Sequence, residues 1–167
     1  GNIIALARAP ALRPHALRFV ALTASVSLIE SLFFIPNSLG CYACARWPVF
    51  TAHATGEALA AAAPPGRILT LAPIFPLEGG REIYPEFATG PFAWRTAALV
   101  DPPRRATFRM VAPADLADLL AADPPAAILT GFEHAEFEQP LRAYAKAHGY
   151  TAKTLPTQGV LWLPRPR

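Results

Sequence analysis

Residues 67–72, RILTLA, form the stretch that decides the fold. They are a short apolar run of β-type residues entered from the Pro-Gly pair at positions 65 and 66, which predicts a buried strand. A second run of the same kind, AAILT, occupies residues 126–130. Strands that are buried on both faces are usually parallel, so the two runs predict the centre of a mostly parallel sheet.

Helices and further strands are predicted around these two runs. Leucines spaced for one helix face predict a helix over residues 112–122, and Phe137, Leu141 and Tyr144 predict another over residues 136–148, closed by Gly149. The remaining predicted elements are an Ala-rich helix at 51–63, a strand at 107–111 and a hairpin of strands at 151–155 and 160–163. The fold class is therefore α/β, a small two-layer or three-layer sandwich with a central, mostly parallel sheet, preceded by an apolar N-terminal helix.

The N-terminal helix is predicted from residues 19–35, FVALTASVSLIESLFFI, which carry one charge, Glu30, and neither Gly nor Pro. Three interpretations remain open: a core or docked helix, a membrane-associated helix of about 26 Å at the short limit for a span, and a strand. Arg8, Arg13 and Arg18 precede the stretch, which would place the rest of the chain outside the cytoplasm. We expect residues 1–36 to form this helix, juxtamembrane or the end of a span, and residues 37–167 to form one α/β domain.

The composition excludes several function classes. In 167 residues, 53% are hydrophobic and only 16% charged, which excludes a disordered chain. The net charge of +3 is carried almost wholly by scattered arginines, so nucleic acid is not an expected partner. Signatures of a nucleophile elbow, a phosphate-binding loop, a dinucleotide fingerprint and a zinc protease are missing, and no cofactor is expected.

Cys41 and Cys44 form the sequence CYAC. A CxxC pair can be two free thiols, a local disulfide, a redox pair or half of a metal site. The four histidines fit no ligand spacing and there is no second CxxC, so no metal site is predicted. We expect the two cysteines to be structural, with a disulfide as one possibility.

The segment from residue 74 to residue 95, IFPLEGGREIYPEFATGPFAWR, is the most informative for function. It follows a predicted strand, and in α/β sheets ligand sites gather beyond the carboxyl ends of strands. Aromatic rings beside carboxylates and an arginine suit a sugar or a docking surface, and paired carboxylates suit acid/base chemistry. The ligand-binding candidates are Glu78, Glu82, Tyr84, Glu86, Phe92, Trp94 and Arg95. The alternative is that the aromatic residues pack under a long loop and Glu86 pairs with Arg95.

The pattern RILTLAPIFPLEGGREIYPEFATGPFAWR, followed by DPPAAILTGFE and a terminal LW strand, resembles the C-terminal soluble domain of bacterial polytopic membrane glycosyltransferases of the GT-C type. These enzymes are relatives of the protein mannosyltransferases and the aminoarabinose transferases. The resemblance covers roughly residues 67–163, and CYAC is not part of it.

The resemblance implies an extracytoplasmic domain at the inner membrane, on the periplasmic side, in an enzyme that transfers sugar from a polyprenyl-phosphate donor. It places the catalytic carboxylate in the membrane part, so no catalytic residue is expected in this chain. The implied partners are the membrane or the transmembrane part of the parent protein, and a sugar or lipid-linked sugar. A homodimer through the N-terminal helix is a further expectation, and a free-standing α/β binding or interaction module is the alternative function.

Overall fold

The computed structural model describes residues 13–41 and 48–165. By its contacts the chain divides after Pro48 into two units. Cys44 and the side chain of Cys41 lie outside the described residues, so the expectations for this pair keep their standing as predictions.

The first unit contains one long helix, α1 (Arg13–Cys41). The predicted apolar helix is confirmed, although it begins before Pro14 and continues past Pro36. Pro14 lies in the first turn, where a missing N–H removes no helical hydrogen bond. The large apolar side chains of α1 between Leu17 and Phe34 are exposed on every side of the helix rather than along one stripe.

The second unit begins with α2 (Pro48–Ala62), which ends before the Pro-Pro-Gly sequence at 64–66. The elements that follow in chain order are β1 (Ile68–Thr70), α3 (Ile74–Glu78), α4 (Pro91–Ala97), α5 (Pro102–Thr107), α6 (Leu116–Ala122), β2 (Ala127–Thr130), α7 (Ala135–Ala147), β3 (Thr151–Thr154) and β4 (Val160–Leu163). Two single 3-10 turns, Pro85–Phe87 and Pro113–Asp115, precede α4 and α6. The predicted helices α2, α6 and α7 and all four strands named here are thereby confirmed within a few residues.

The four strands form one mixed sheet in the order β1-β2-β4-β3. β1 pairs with β2 in parallel, Leu69 opposite Ile128, as predicted from their buried runs. β4 is antiparallel to both β2 and β3. The prediction of a mostly parallel sheet is therefore corrected to a mixed one, because the short hairpin after β3 reverses the chain and inserts β4 between β2 and β3.

Successive side chains of β1 and β2 enter two separate buried clusters, as expected when neighbours on a strand point to opposite faces. Leu69 and Ile128 pack with Leu120 and Leu141. Ile68 and Leu129 pack with residues including Leu59, Leu155 and Leu161. Apolar contacts on both faces explain why these strands are the most buried in the described part of the chain.

The segment between β1 and β2 differs most from the predictions. The strand predicted at residues 107–111 is wrong, because Thr107 ends α5 and the turn after it places Arg109 in the left-handed region. α5 itself begins at the Pro-Pro pair that follows Asp101. Proline is favoured at the first helical position, where its φ is already helical and its missing N–H is not needed. Pro91 begins α4 in the same way, so a region predicted as irregular holds two short helices.

Candidate functional site

The candidate ligand loop, residues 78–95, does not lie wholly beyond the carboxyl end of β1, as was expected. Its first half returns to the amino end of that strand, where the N–H of Ile68 donates to the carbonyl of Glu82 at 2.8 Å and Ile68 forms a parallel bridge with Ile83. Its second half lies at the carboxyl end, where Gly90 approaches the carbonyl of Leu71.

Tyr84 is buried, and its hydroxyl donates a hydrogen bond of 2.6 Å to the backbone carbonyl of Asp123. Burial, together with the nearby Asp123 carboxylate, raises the pKa of Tyr84 well above its ordinary value. The phenol therefore remains a protonated hydrogen-bond donor and cannot serve as a base near neutral pH.

Trp94 also faces the interior. Its indole Nε1 donates a hydrogen bond of 3.0 Å to the backbone carbonyl of Phe137, and its ring packs 5.5 Å from that of Phe87. Two of the three aromatic candidates thus belong to the core and fasten the loop to the sheet and to α7. Phe92, the third, is 73% exposed.

The three candidate glutamates lie in separate surroundings. The Oε2 atom of Glu78 is 3.3 Å from Nδ1 of His53 on α2. The side chain of Glu82 is 81% exposed, and its nearest cation, Nε of Arg67, is 4.0 Å away. Glu86 is partly buried in the 3-10 turn. Glu78 and Glu82 therefore have different partners, on α2 and at the start of β1.

Arg95 pairs with Glu133 rather than with Glu86. Its Nη2 lies 2.8 Å from Oε2 of Glu133, and its guanidinium carbon lies 4.3 Å from the centre of the Phe137 ring. Glu133 follows β2, so the ion pair joins the segment after β1 to the segment after β2. The Arg95–Glu133 pair, which packs on the ring of Phe137, is partly exposed and lies after the ends of β1 and β2.

Glu138 is the residue of this edge that the sequence analysis missed. It is 2% exposed, and its carboxylate accepts hydrogen bonds from the backbone N–H groups of Gly131, Phe132 and Glu133, at 2.7–3.2 Å. Nη2 of Arg142, one turn further along α7, donates to the same carboxylate at 2.7 Å. The arrangement fixes the loop after β2 and, through it, the position of Glu133.

A signal for this role was present in the sequence. Glu138 precedes Leu141 by three residues and Ala145 by seven, which places it on the buried face of α7. Its neighbours Glu133 and Glu136 made it resemble one of several acidic residues that favour a helix N-terminus.

Glycine permits a close approach between α2 and α3 next to His53. A Cβ atom on Gly56 would lie 2.6 Å from the backbone N of Gly79 and 2.6 Å from the carbonyl oxygen of Phe75. The His53 ring therefore reaches both Glu78 and, at 3.5 Å, Glu57. Within residues 13–41 and 48–165, no group of three or more metal-ligating side chains is arranged to hold a metal ion.

The described site is thus an edge of the sheet with one fastened loop, one partly exposed ion pair and one projecting aromatic ring. On such a surface a ligand could stack on the ring of Phe92 and form hydrogen bonds with the Arg95–Glu133 pair. In comparisons with family models, with curated proteins and with solved structures, no match to this chain was found.

Proposed function

We propose that this chain is a membrane-anchored, extracytoplasmic accessory domain of a glycosyltransferase that uses a polyprenyl-phosphate sugar, and that the chain itself does not perform the transfer. In this proposal α1 is the anchor and the α/β unit, with helices on both faces of its sheet, is the periplasmic part. The sugar donor enters the proposal through the resemblance of residues 67–163 to such enzymes.

The observation that carries the proposal is the exposure of α1. The window Leu17–Phe34 has a mean hydropathy of 1.6, and none of it is buried. The 18 residues of this window extend about 27 Å as a helix, close to the hydrocarbon thickness of a bilayer. A core helix would have a buried stripe, which α1 lacks. A signal sequence would have the same apolar composition as α1, so the test must separate an anchor from a cleaved leader.

The chemistry at the sheet edge supports an accessory role. Tyr84 and Trp94 serve the core, and Glu78 and Glu82 have separate partners in His53 and Arg67. What the loop offers to a ligand is the ring of Phe92 and the Arg95–Glu133 pair. Those groups suit contact with a sugar or a lipid-linked headgroup better than general acid/base catalysis.

The anchor is tested by expressing the chain in bacteria and washing the membranes with alkaline carbonate. We expect the intact chain, with residues 13–34 detected by mass spectrometry, to stay in the pellet. The double variant Leu22→Arg, Val26→Arg should be released, because each arginine at a helix centre costs about 2.5–3.5 kcal/mol on insertion. The matched control, Ala54→Arg with Ala61→Arg on exposed positions of α2, should stay.

Other results would contradict the proposal. Release of the wild-type chain would favour the free-standing binding module, and release as a cross-linked dimer would replace the membrane with a second copy as the partner of α1. A product cleaved after α1 would make it a leader. Turnover of a polyprenyl-phosphate sugar by the chain alone would refute the non-catalytic role.

A further inference from the structure

Three large apolar side chains project from the segment that contains α4 and α5. Phe92 is 73% exposed, Leu99 is 87% exposed and Phe108 is 68% exposed. Arg104, whose side chain is 76% exposed, and Arg109 lie in the same segment. We call these five residues the α4–α5 surface.

The helix geometry directs Phe92 and Leu99 away from the core. Phe92 lies in α4 on the face opposite the buried Trp94 and Ala97, and Leu99 lies two residues beyond the end of α4. Leu99 still belongs to the helical turn, because its N–H donates to the carbonyl of Thr96 at 2.9 Å. α4 is therefore an amphipathic element whose outer face is apolar at both ends.

Arg105 fastens α5 to the end of α4. Its Nη1 donates to the carbonyls of Ala97 and Val100 at 3.4 and 3.2 Å, and its Nη2 pairs with Asp115 at 3.1 Å. Because Arg105 is occupied in this way, it holds the two helices together rather than serving a partner. The neighbouring Arg104 has only Asp101, at 3.6 Å and largely exposed, and such a pair contributes little.

Arg109 occupies a position that favours glycine. It has a φ of 50°, and the N–H of Met110 donates back to the carbonyl of Arg105 at 2.8 Å, which ends α5. A residue with a side chain costs roughly 1–2 kcal/mol in this left-handed conformation. The side chain of Arg109 is exposed, so its charge faces outward from this segment.

We propose that the α4–α5 surface docks onto an anionic lipid surface, with Phe92, Leu99 and Phe108 entering the headgroup region and Arg104 and Arg109 contacting lipid phosphates. This inference rests on the proposed anchoring of α1. Separate apolar projections interspersed with arginines match an interfacial membrane contact, where apolar burial and attraction to anionic headgroups act together. Six residues separate α1 from α2 in the sequence, so an anchor at α1 tethers the second unit to the same bilayer.

The test uses the full chain reconstituted in phosphatidylcholine vesicles, with and without phosphatidylglycerol. The photoreactive residue p-benzoylphenylalanine replaces Leu99, or Lys153 on the exposed strand β3 as the matched control. After illumination, lipid adducts are counted by mass spectrometry. We expect abundant adduct at position 99 that increases with phosphatidylglycerol, and little at position 153 in either vesicle.

Charge variants then show whether the adduct depends on attraction between the arginines and the lipid phosphates or only on chance proximity to the bilayer. In the chain labelled at position 99, the lipid adduct reports the ratio of docked to undocked chains. Arg109→Gly or Arg104→Gln should each lower this ratio about fivefold in anionic vesicles. Arg109→Lys should retain it. Equal adduct in both vesicles, equal adduct at both positions, or adducts to protein instead of lipid would overturn the inference.

Carbonate extraction of the same samples keeps the two proposals distinguishable. A chain that stays in the membrane but shows no anionic preference at position 99 retains the anchor and loses the docking surface. A chain that is extracted loses the proposed function, whatever its adducts show.

Discussion

The replacement Glu138→Ala tests the role of the buried carboxylate that holds the loop after β2. The substitution leaves the N–H groups of residues 131–133 and the guanidinium of Arg142 without their shared acceptor. Removing one partner of a buried charge pair costs about 3–5 kcal/mol. Since the free energy of unfolding of a domain is about 5–15 kcal/mol, this loss should be evident in any denaturation experiment.

Two further variants calibrate that effect. Glu138→Gln keeps the volume and one acceptor oxygen, and we expect it to cost about 2 kcal/mol because the charge-assisted bonds become neutral ones. Glu136→Ala, on the exposed side of the same helix, should cost no more than about 0.5 kcal/mol. Urea unfolding in mild detergent, followed by tryptophan fluorescence, measures all three.

Hydrogen exchange supplies the local measurement. In the wild-type protein the amides of residues 131–133 should exchange slowly, since the carboxylate accepts from each of them. In Glu138→Ala they should exchange quickly while β2 stays protected. If those amides exchange equally slowly in both proteins, or if Glu138→Ala costs no more than Glu136→Ala, the carboxylate does not hold the loop.

Three more substitutions have defined outcomes. Gly56→Ala should cost about 1–3 kcal/mol in urea unfolding, because its Cβ would meet the backbone of Gly79 at 2.6 Å; a cost below about 0.5 kcal/mol, the usual range of a surface substitution, would contradict the close packing. Stability should fall as the pH rises above about 10, because an unfolded tyrosine then ionises while burial raises the pKa of folded Tyr84; Tyr84→Phe should lessen that fall and cost about 1 kcal/mol at neutral pH. Arg109→Gly should raise the free energy of unfolding by about 1 kcal/mol, and an unchanged or lower melting temperature would argue against strain at this position.

Local sequence patterns predicted the helices and strands in which buried apolar residues recur at a regular spacing. The runs 67–72 and 126–130 predicted the parallel pair β1 and β2, and the spacing of Phe137, Leu141 and Tyr144 predicted α7. These predictions succeeded because each element carries its own apolar pattern. α3 and α4 are five and seven residues long and carry no such repeat, whereas the equally short α6 was predicted from its closely spaced leucines.

The parts that failed depend on contacts between distant residues. The insertion of β4 beside β2 joins Leu161 to Leu129, and no local signal specifies that pairing. The inward direction of Tyr84 depends on the Asp123 carbonyl, 39 residues away. In the sequence its ring was as good a ligand candidate as that of Phe92, and only tertiary packing separates the buried one from the exposed one.

The strand order has a consequence for the chain while it is being made. β4 separates β2 from β3 although it follows both of them in the sequence. A nascent chain that has been synthesised as far as β3 therefore presents one edge of the apolar strand β2 without its neighbour. Unpaired strand edges are templates for association with other chains. Until β4 has been synthesised, this edge of β2 can therefore pair only with a strand from outside the native order.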